Sequence, residues 1–322
     1  MKAEATGKLI LSGEHSVVYG GPALAVALAR KVSVVFTPDA SQEVKIYSDQ
    51  LGQSSFSPQQ LPRFTEQLDQ KFSAFLNQKL PISDVLSSPF DLLIYVLMQQ
   101  GSDVSGTLRI TSDIPAGAGM GSSAAVICAL LKLSQQISGR DLSIDELCRK
   151  VRYCERLQHG RGSAIDAAAV TYAGTVKVLG DSVTQLPAVL DSNWYLWNSG
   201  SPLSSTGETV AYVRENFEGS PIWQEFTQVT TELEGALCVP DTTQIKRLIR
   251  ANEKLLEQIG VVPNPVSTAI HCIEALGGAA KICGAGSATG DAGGIVLVYL
   301  PETPPSEIEA ELNIKLEPVL MA

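Results

Sequence analysis

Apolar residues recur along this chain at two intervals, one strand-like and one helical. The runs KLILSG and ALAVALARKVSVVFTP flank EHSVVYGGP, where Gly20, Gly21 and Pro22 mark a turn, so residues 8–37 predict two strands. Residues 38–62 are polar and rich in Ser and Gln, and predict a strand and a surface loop. FTEQLDQKFSAFLNQKL and PFDLLIYVLMQQ repeat at helical spacing, whereas TLRITSDI alternates as a strand does. A helix covers 126–133 and breaks at SGRDLS. The next starts on a capping box, Ser143 with Glu146, carries Ile144, Leu147, Val151 and Cys154 on one face, and stops at His159-Gly160.

GRGSAIDAAAVTYAGTVKVLG then runs into a strand, and LPAVLDSNWYLWNSGSP connects to new strand material. Beyond it the pattern predicts helices over 223–237, 242–258 and 265–276, strands in KICGAG and GGIVLVYL, a helix from Pro305 and a closing strand. This is an α+β chain in two halves, with domains at 1–187 and 188–322, a cleft between them and no internal repeat.

Composition narrows the chemistry. The 322 residues are 44% hydrophobic and 18% charged, which excludes a largely disordered or fibrous chain. The net charge of −10 opposes long-range attraction to nucleic acid or anionic lipid, so any bound anion must be held by local donors. Six cysteines without a CxxC pair, and only three histidines, point to free thiols rather than a zinc site. No window reaches the roughly 20 apolar residues of a membrane span, and the N-terminus lacks the apolar core of a signal peptide, so the expectation is a cytoplasmic protein.

The stretch that demands chemistry is DIPAGAGMGSSAAVICALLKL. It is neither a P-loop, which needs Gly-Lys-Ser/Thr after four residues, nor a Rossmann fingerprint following a first strand. It places backbone N–H groups unencumbered by side chains at the positive end of a helix dipole, an arrangement that binds phosphate. Ser122 and Ser123 add hydroxyls for phosphate or Mg²⁺. The competing reading is a flexible loop with an ordinary cap.

PAGAGMGSSAA resembles the central motif of the GHMP kinases, whose members phosphorylate galactose, homoserine, mevalonate and phosphomevalonate. Two further stretches agree in order. ATGKLILSGEHSVVYGGPALAVAL resembles the N-terminal motif of the mevalonate-phosphorylating branch, and KICGAGSATGDAGGIVLVYL resembles the family's C-terminal Gly-rich motif. The resemblance implies a two-domain fold, with an N-terminal ATP-binding domain like domain 2 of ribosomal protein S5 and a ferredoxin-like C-terminal domain. It also implies ATP and Mg²⁺ as cofactors and a small-molecule substrate, mevalonate, with no nucleic acid or membrane partner. Monomer and homodimer both stay open. The alternatives are another GHMP small-molecule kinase, acting on phosphomevalonate or a sugar, or a non-catalytic nucleotide-binding regulator.

Carried over residue by residue, the resemblance makes Asp166 the catalytic base and Lys8 its cationic partner. Gly117, Ala118, Gly119, Met120, Gly121, Ser122 and Ser123 form the phosphate loop, and Ser123 and Glu155 hold the metal. Glu155 and Asp166 stand eleven residues apart (166 − 155), as in the family, and an acid inside SAIDAAAV is costly to bury unless paired or functional. Glu14, His15, Tyr172, Gly284, Ala285 and Gly286 are the expected substrate-side residues. For His15 a turn histidine competes with a partner for the substrate carboxylate; for Tyr172, core packing competes with a pocket wall. The chain departs from the pattern at Thr6, at SAID, and at SATGDAGG, where Asp291 is added. Contact with a substrate cation and solvation outside the site both remain open for that carboxylate.

Overall fold

The computed structural model describes residues 1–100, 105–115, 117–160 and 163–322. Ala116, Arg161 and Gly162, which belong to the motif strings above, lie outside the described residues. Two compact units share the chain and are interleaved in sequence. The first comprises Met1–Gly7, Arg30–Pro115 and Gly121–Tyr172; the second comprises Lys8–Ala29, Ala116–Met120 and Ala173–Ala322. The long strands β1 (Lys2–Ser12) and β2 (Ala23–Pro38), which pair with each other, each contribute to both units.

In the first unit the second half of β2 runs antiparallel to β5 (Gly106–Ser112), Val32 facing Ser112 and Pro38 facing Gly106. β5 pairs in parallel with β3 (Val44–Ser48), which turns back into β4 (Gly52–Phe56). The polar stretch 38–62 therefore holds two strands rather than a strand and a loop. GQSSF lacks apolar alternation because β4 ends the strand order and has no buried residue. The α-helices of the unit among the described residues are α1 (Leu61–Leu76), α2 (Pro89–Leu97), α3 (Ser122–Ser138), α4 (Ile144–His159) and α5 (Ile165–Thr171). α2, α4 and α5 all pack on α3. That explains why Ala124, Ala125, Ile127, Cys128, Ala129, Leu130, Leu131 and Leu133 are buried almost all round it. The capping box that opens α4 is present: the Ser143 N–H donates to Glu146 Oε2 at 2.8 Å, and the Glu146 N–H donates to Ser143 Oγ at 3.3 Å.

In the second unit the first half of β2 pairs antiparallel with β6 (Thr175–Leu179), which pairs with β7 (Ser182–Leu186). A separate antiparallel sheet has the order β11-β8-β10-β9, from β8 (Trp194–Asn198), β9 (Ala279–Ile282), β10 (Ile295–Tyr299) and β11 (Glu317–Pro318). β10 reads IVLVY without alternation because every one of its residues is buried. The unit's helices are α6 (Thr206–Phe217), α7 (Ile222–Cys238), α8 (Thr242–Gln258), α9 (Asn264–Ala275) and α10 (Pro305–Leu312). α6 is an addition to the elements expected from the sequence. One apolar cluster joins Trp223 and Phe226 of α7 to Leu255 and Leu256 of α8 and Ile282 of β9, and so sets α8 against β9. That packing delivers the polar residues Glu253 and Lys281 into the interior.

Candidate active site

The glycines of the phosphate-loop motif carry alternating left-handed backbone, φ +71° at Gly117, +77° at Gly119 and +72° at Gly121. Only glycine adopts this conformation freely, which is the physical reason for their spacing. Gly121 is also the N-cap of α3 and offers no side-chain acceptor to the first-turn N–H groups. A side chain at Gly117 would enter open space, as expected of a loop that receives a ligand. Ser123 lies in the first turn of α3, where its Oγ donates to Gln158 Oε1 at 2.7 Å.

Elsewhere in the first unit Glu155 is buried on α4 and Asp166 stands in the first turn of α5. Tyr172 is buried at the C-terminal end of α5. The OH donates to Asp145, tying the end of α5 to the start of α4, and burial together with that carboxylate raises the phenol pKa. α4 is anchored from its far side by Arg156, whose Nη2 donates to Asp69 Oδ1 and to Tyr95 Oη, both at 2.8 Å. The guanidinium also lies over Tyr153 at 3.8 Å and Phe72 at 4.4 Å from the ring centroids. No sequence signal announces this clamp, since its parts are scattered over three helices.

In the second unit Lys8 is 4% exposed on β1, and its backbone N–H donates to Met120 O at 2.9 Å, tying the strand to the glycine loop. Gly13, in the turn that follows, has φ +90°, and a Cβ there would stand 2.3 Å from Pro22 O. That turn points Glu14 and His15 inward. Glu14 is not free for a ligand at Oε1, which accepts from Lys281 Nζ at 2.5 Å in an ion pair whose side chains are 1% and 0% exposed. Burial opposes the Lys281 charge most strongly, but Glu14, Cys283 and Glu253 together outweigh it and hold the ammonium pKa above its ordinary value. Lys281 also donates to Ile282 O at 2.7 Å. His15 Nε2 lies 3.0 Å from Ala285 O, which can only accept, so this nitrogen carries the proton. Burial pushes the imidazole pKa below its ordinary value, against the pull of Glu14. His15 pins the Gly284-Ala285-Gly286 turn, in which a Cβ at Gly286 would meet Val261 O at 2.2 Å.

The divergent SATGDAGG loop is braced within the same unit. Ser287 Oγ donates to Thr289 O at 2.7 Å, Ser204 Oγ and Thr289 Oγ1 are 2.7 Å apart, and the Gly293 N–H donates to Ser199 Oγ at 3.0 Å. Asp291 is exposed on this loop, in accord with simple solvation.

Sequence reasoning missed Glu253 of α8, which is 1% exposed and accepts the Ile282 N–H at 2.9 Å. Burial pushes its carboxyl up to about 8, against the downward pull of that N–H and of Lys281. Between its ordinary value of 4.5 and about 8 the folded chain thus binds one proton more than the unfolded chain. The stability this group contributes is complete below that window and is lost as pH rises through it. Glu253→Gln keeps the acceptor for Ile282 without the titration. Its unfolding midpoint is expected to gain on wild type steadily from about pH 5 to about pH 8; parallel midpoints across that range would show that Glu253 is ionised in the fold.

Comparison with known proteins agrees with this geometry. Residues 92–174 match the family model described as GHMP kinases N terminal domain. A mevalonate kinase of Methanothermobacter thermautotrophicus is 30% identical over 311 residues, 93% of this chain and 90% of the relative. A mevalonate kinase of Thermococcus sibiricus is 28% identical over 97% of this chain and 92% of the relative. The chain belongs to the GHMP kinases, and its fold is theirs. These full-length relatives all come from the mevalonate kinase branch. Among solved structures, Methanococcus jannaschii mevalonate kinase superimposes with a TM-score of 0.79 at 19% identity, covering 100% of this chain and 98% of that one. Lactococcus lactis galactokinase complexed with galactose gives 0.77 at 16% identity, covering 99% and 93%.

Proposed function

We propose that this kinase transfers the γ-phosphoryl group of ATP to the primary hydroxyl of mevalonate, giving 5-phosphomevalonate. The observation that carries the phosphoryl chemistry is the run of left-handed glycines leading into the uncapped start of α3. The mevalonate kinases among its relatives, aligned over nearly the whole chain, support the choice of alcohol.

Phosphoryl transfer asks little covalent work of a protein and much positioning and charge neutralisation. In this reading the amides of residues 117–123 cradle the phosphates. Asp166 takes the proton of the attacking hydroxyl, and Lys8 stabilises the negative charge that develops there. The donor set suits a hard cation: Ser123 directs its O–H at Gln158 Oε1 and keeps its lone pairs, while Glu155 lies one helical turn before Gln158. Mg²⁺ takes one or two protein oxygens and completes its shell with phosphate and water. Held by Ser123 and Glu155, Mg²⁺ would supply neutralisation of the phosphate charge.

Substrate choice follows from charge. Phosphomevalonate carries about two more negative charges than mevalonate and needs further cations, yet Lys281, next to the motif that provides His15's partner, is committed to Glu14. A coupled ADP-release assay over mevalonate, phosphomevalonate, galactose and homoserine at equal subsaturating concentrations is expected to give the highest kcat/KM for mevalonate. Faster turnover of phosphomevalonate would overturn the substrate while leaving the kinase chemistry intact.

A further inference from the structure

A serine that ligates a cation does so through a lone pair, so its single proton must be directed elsewhere. Within a helix the usual outlet is the carbonyl one turn back. α3 shows this default twice: Ser134 Oγ donates to Leu130 O at 2.9 Å, and Ser138 Oγ donates to Ser134 O at 2.8 Å. Ser123, in the first turn of the same helix, has no helical carbonyl one turn behind it and donates across to the side chain of Gln158 on α4. Gln158 follows Glu155 by three residues, one turn along α4 and on the same side of it. α4 itself is held in place by the Arg156 clamp between them in sequence. One helix therefore supplies both the carboxylate proposed for the metal and the acceptor that orients the hydroxyl proposed for it.

We infer that Gln158 is a positioning residue for the metal site: by accepting the hydrogen bond of the Ser123 hydroxyl it fixes the rotor with its lone pairs turned outward. This rests on the reading of Ser123 as a metal ligand. The role requires an acceptor at position 158 and no more, so Glu serves in place of Gln, whereas Met, of similar length but with only a weak acceptor sulfur, does not. Gln158 is exposed, and its replacement disturbs no core packing.

The test measures Mn²⁺ binding in the presence of a non-hydrolysable ATP analogue, from the electron paramagnetic resonance signal of free Mn²⁺. Analogue binding without metal serves as the companion measurement. Gln158→Met is expected to weaken Mn²⁺ by roughly tenfold, the size found for groups that orient metal ligands, and to leave metal-free binding of the analogue unchanged. Gln158→Glu is expected to bind Mn²⁺ at least as tightly as wild type. Ser123→Ala should weaken it too, and adding Gln158→Met to Ser123→Ala should cost nothing more, since the oriented hydroxyl is already gone. A Gln158→Met titration that overlays wild type while Ser123→Ala weakens binding would overturn the role of Gln158 alone. A further loss on adding Gln158→Met to Ser123→Ala would do the same. If Ser123→Ala itself overlays wild type, the metal assignment fails and the inference with it.

Discussion

Asp166→Asn is expected to bind ATP as wild type does and to lose turnover by roughly 10²- to 10⁴-fold, the range that positioned proton transfer contributes. The substitution keeps the shape of the side chain and removes both its basicity and its charge. The residue stands in the first turn of the short helix α5, an element whose remaining residues are all buried, so the loss is not expected to come from misfolding. Single-turnover rates alongside equilibrium ATP binding separate the two effects. A loss confined to kcat assigns the residue to the transition state; turnover near wild type would remove Asp166 from the mechanism.

The largest expected effect on stability lies at Lys281. Lys281→Met strands the Glu14 carboxylate in an interior where both partners are at most 1% exposed. Breaking a buried pair from one side costs about 3–5 kcal/mol, enough to move a urea midpoint substantially. The double variant Glu14→Leu with Lys281→Met replaces the pair by apolar groups and is expected to recover most of that loss, because the desolvation cost of both charges disappears together. If the single variant unfolds at the wild-type midpoint, Glu14 is neutral or solvated in the fold. If the double variant falls as far as the single one, the pair matters for its packing rather than its charge.

How far the sequence discloses these features depends on whether the signal is local. α4 is legible because its capping box and apolar face fall within one short window, and the phosphate loop because a left-handed backbone demands glycine. α6 escapes, although Ser205 and Glu208 form the same capping box, because Thr209 and Val213 are its only buried positions and no stripe forms. β4 escapes for a related reason: its residues are polar and exposed, and its strand character comes from pairing with β3. In the site, the residue types expected from the motifs are present, but their partners are not local. Glu14 meets a lysine 267 positions away, and His15 a carbonyl 270 positions away. Ser123 meets Gln158 across two helices. Reading such contacts requires the tertiary packing of α8 on β9 and of α3 on α4, which no periodicity records.

The interleaving of the two units bears on how the polypeptide can be made and divided. Synthesis from the N-terminus delivers residues 8–29 early, yet most of the unit they belong to is encoded after position 172. The β1–β2 pair must therefore wait, with the first half of β2 lacking its β6 partner, until β6 and the later elements leave the ribosome. No single cut yields two self-sufficient pieces: a fragment starting after Tyr172 lacks the strand on which β6 forms its ladder. A reconstruction from parts would have to supply the N-terminal strands in trans, much as a missing strand is donated between chains.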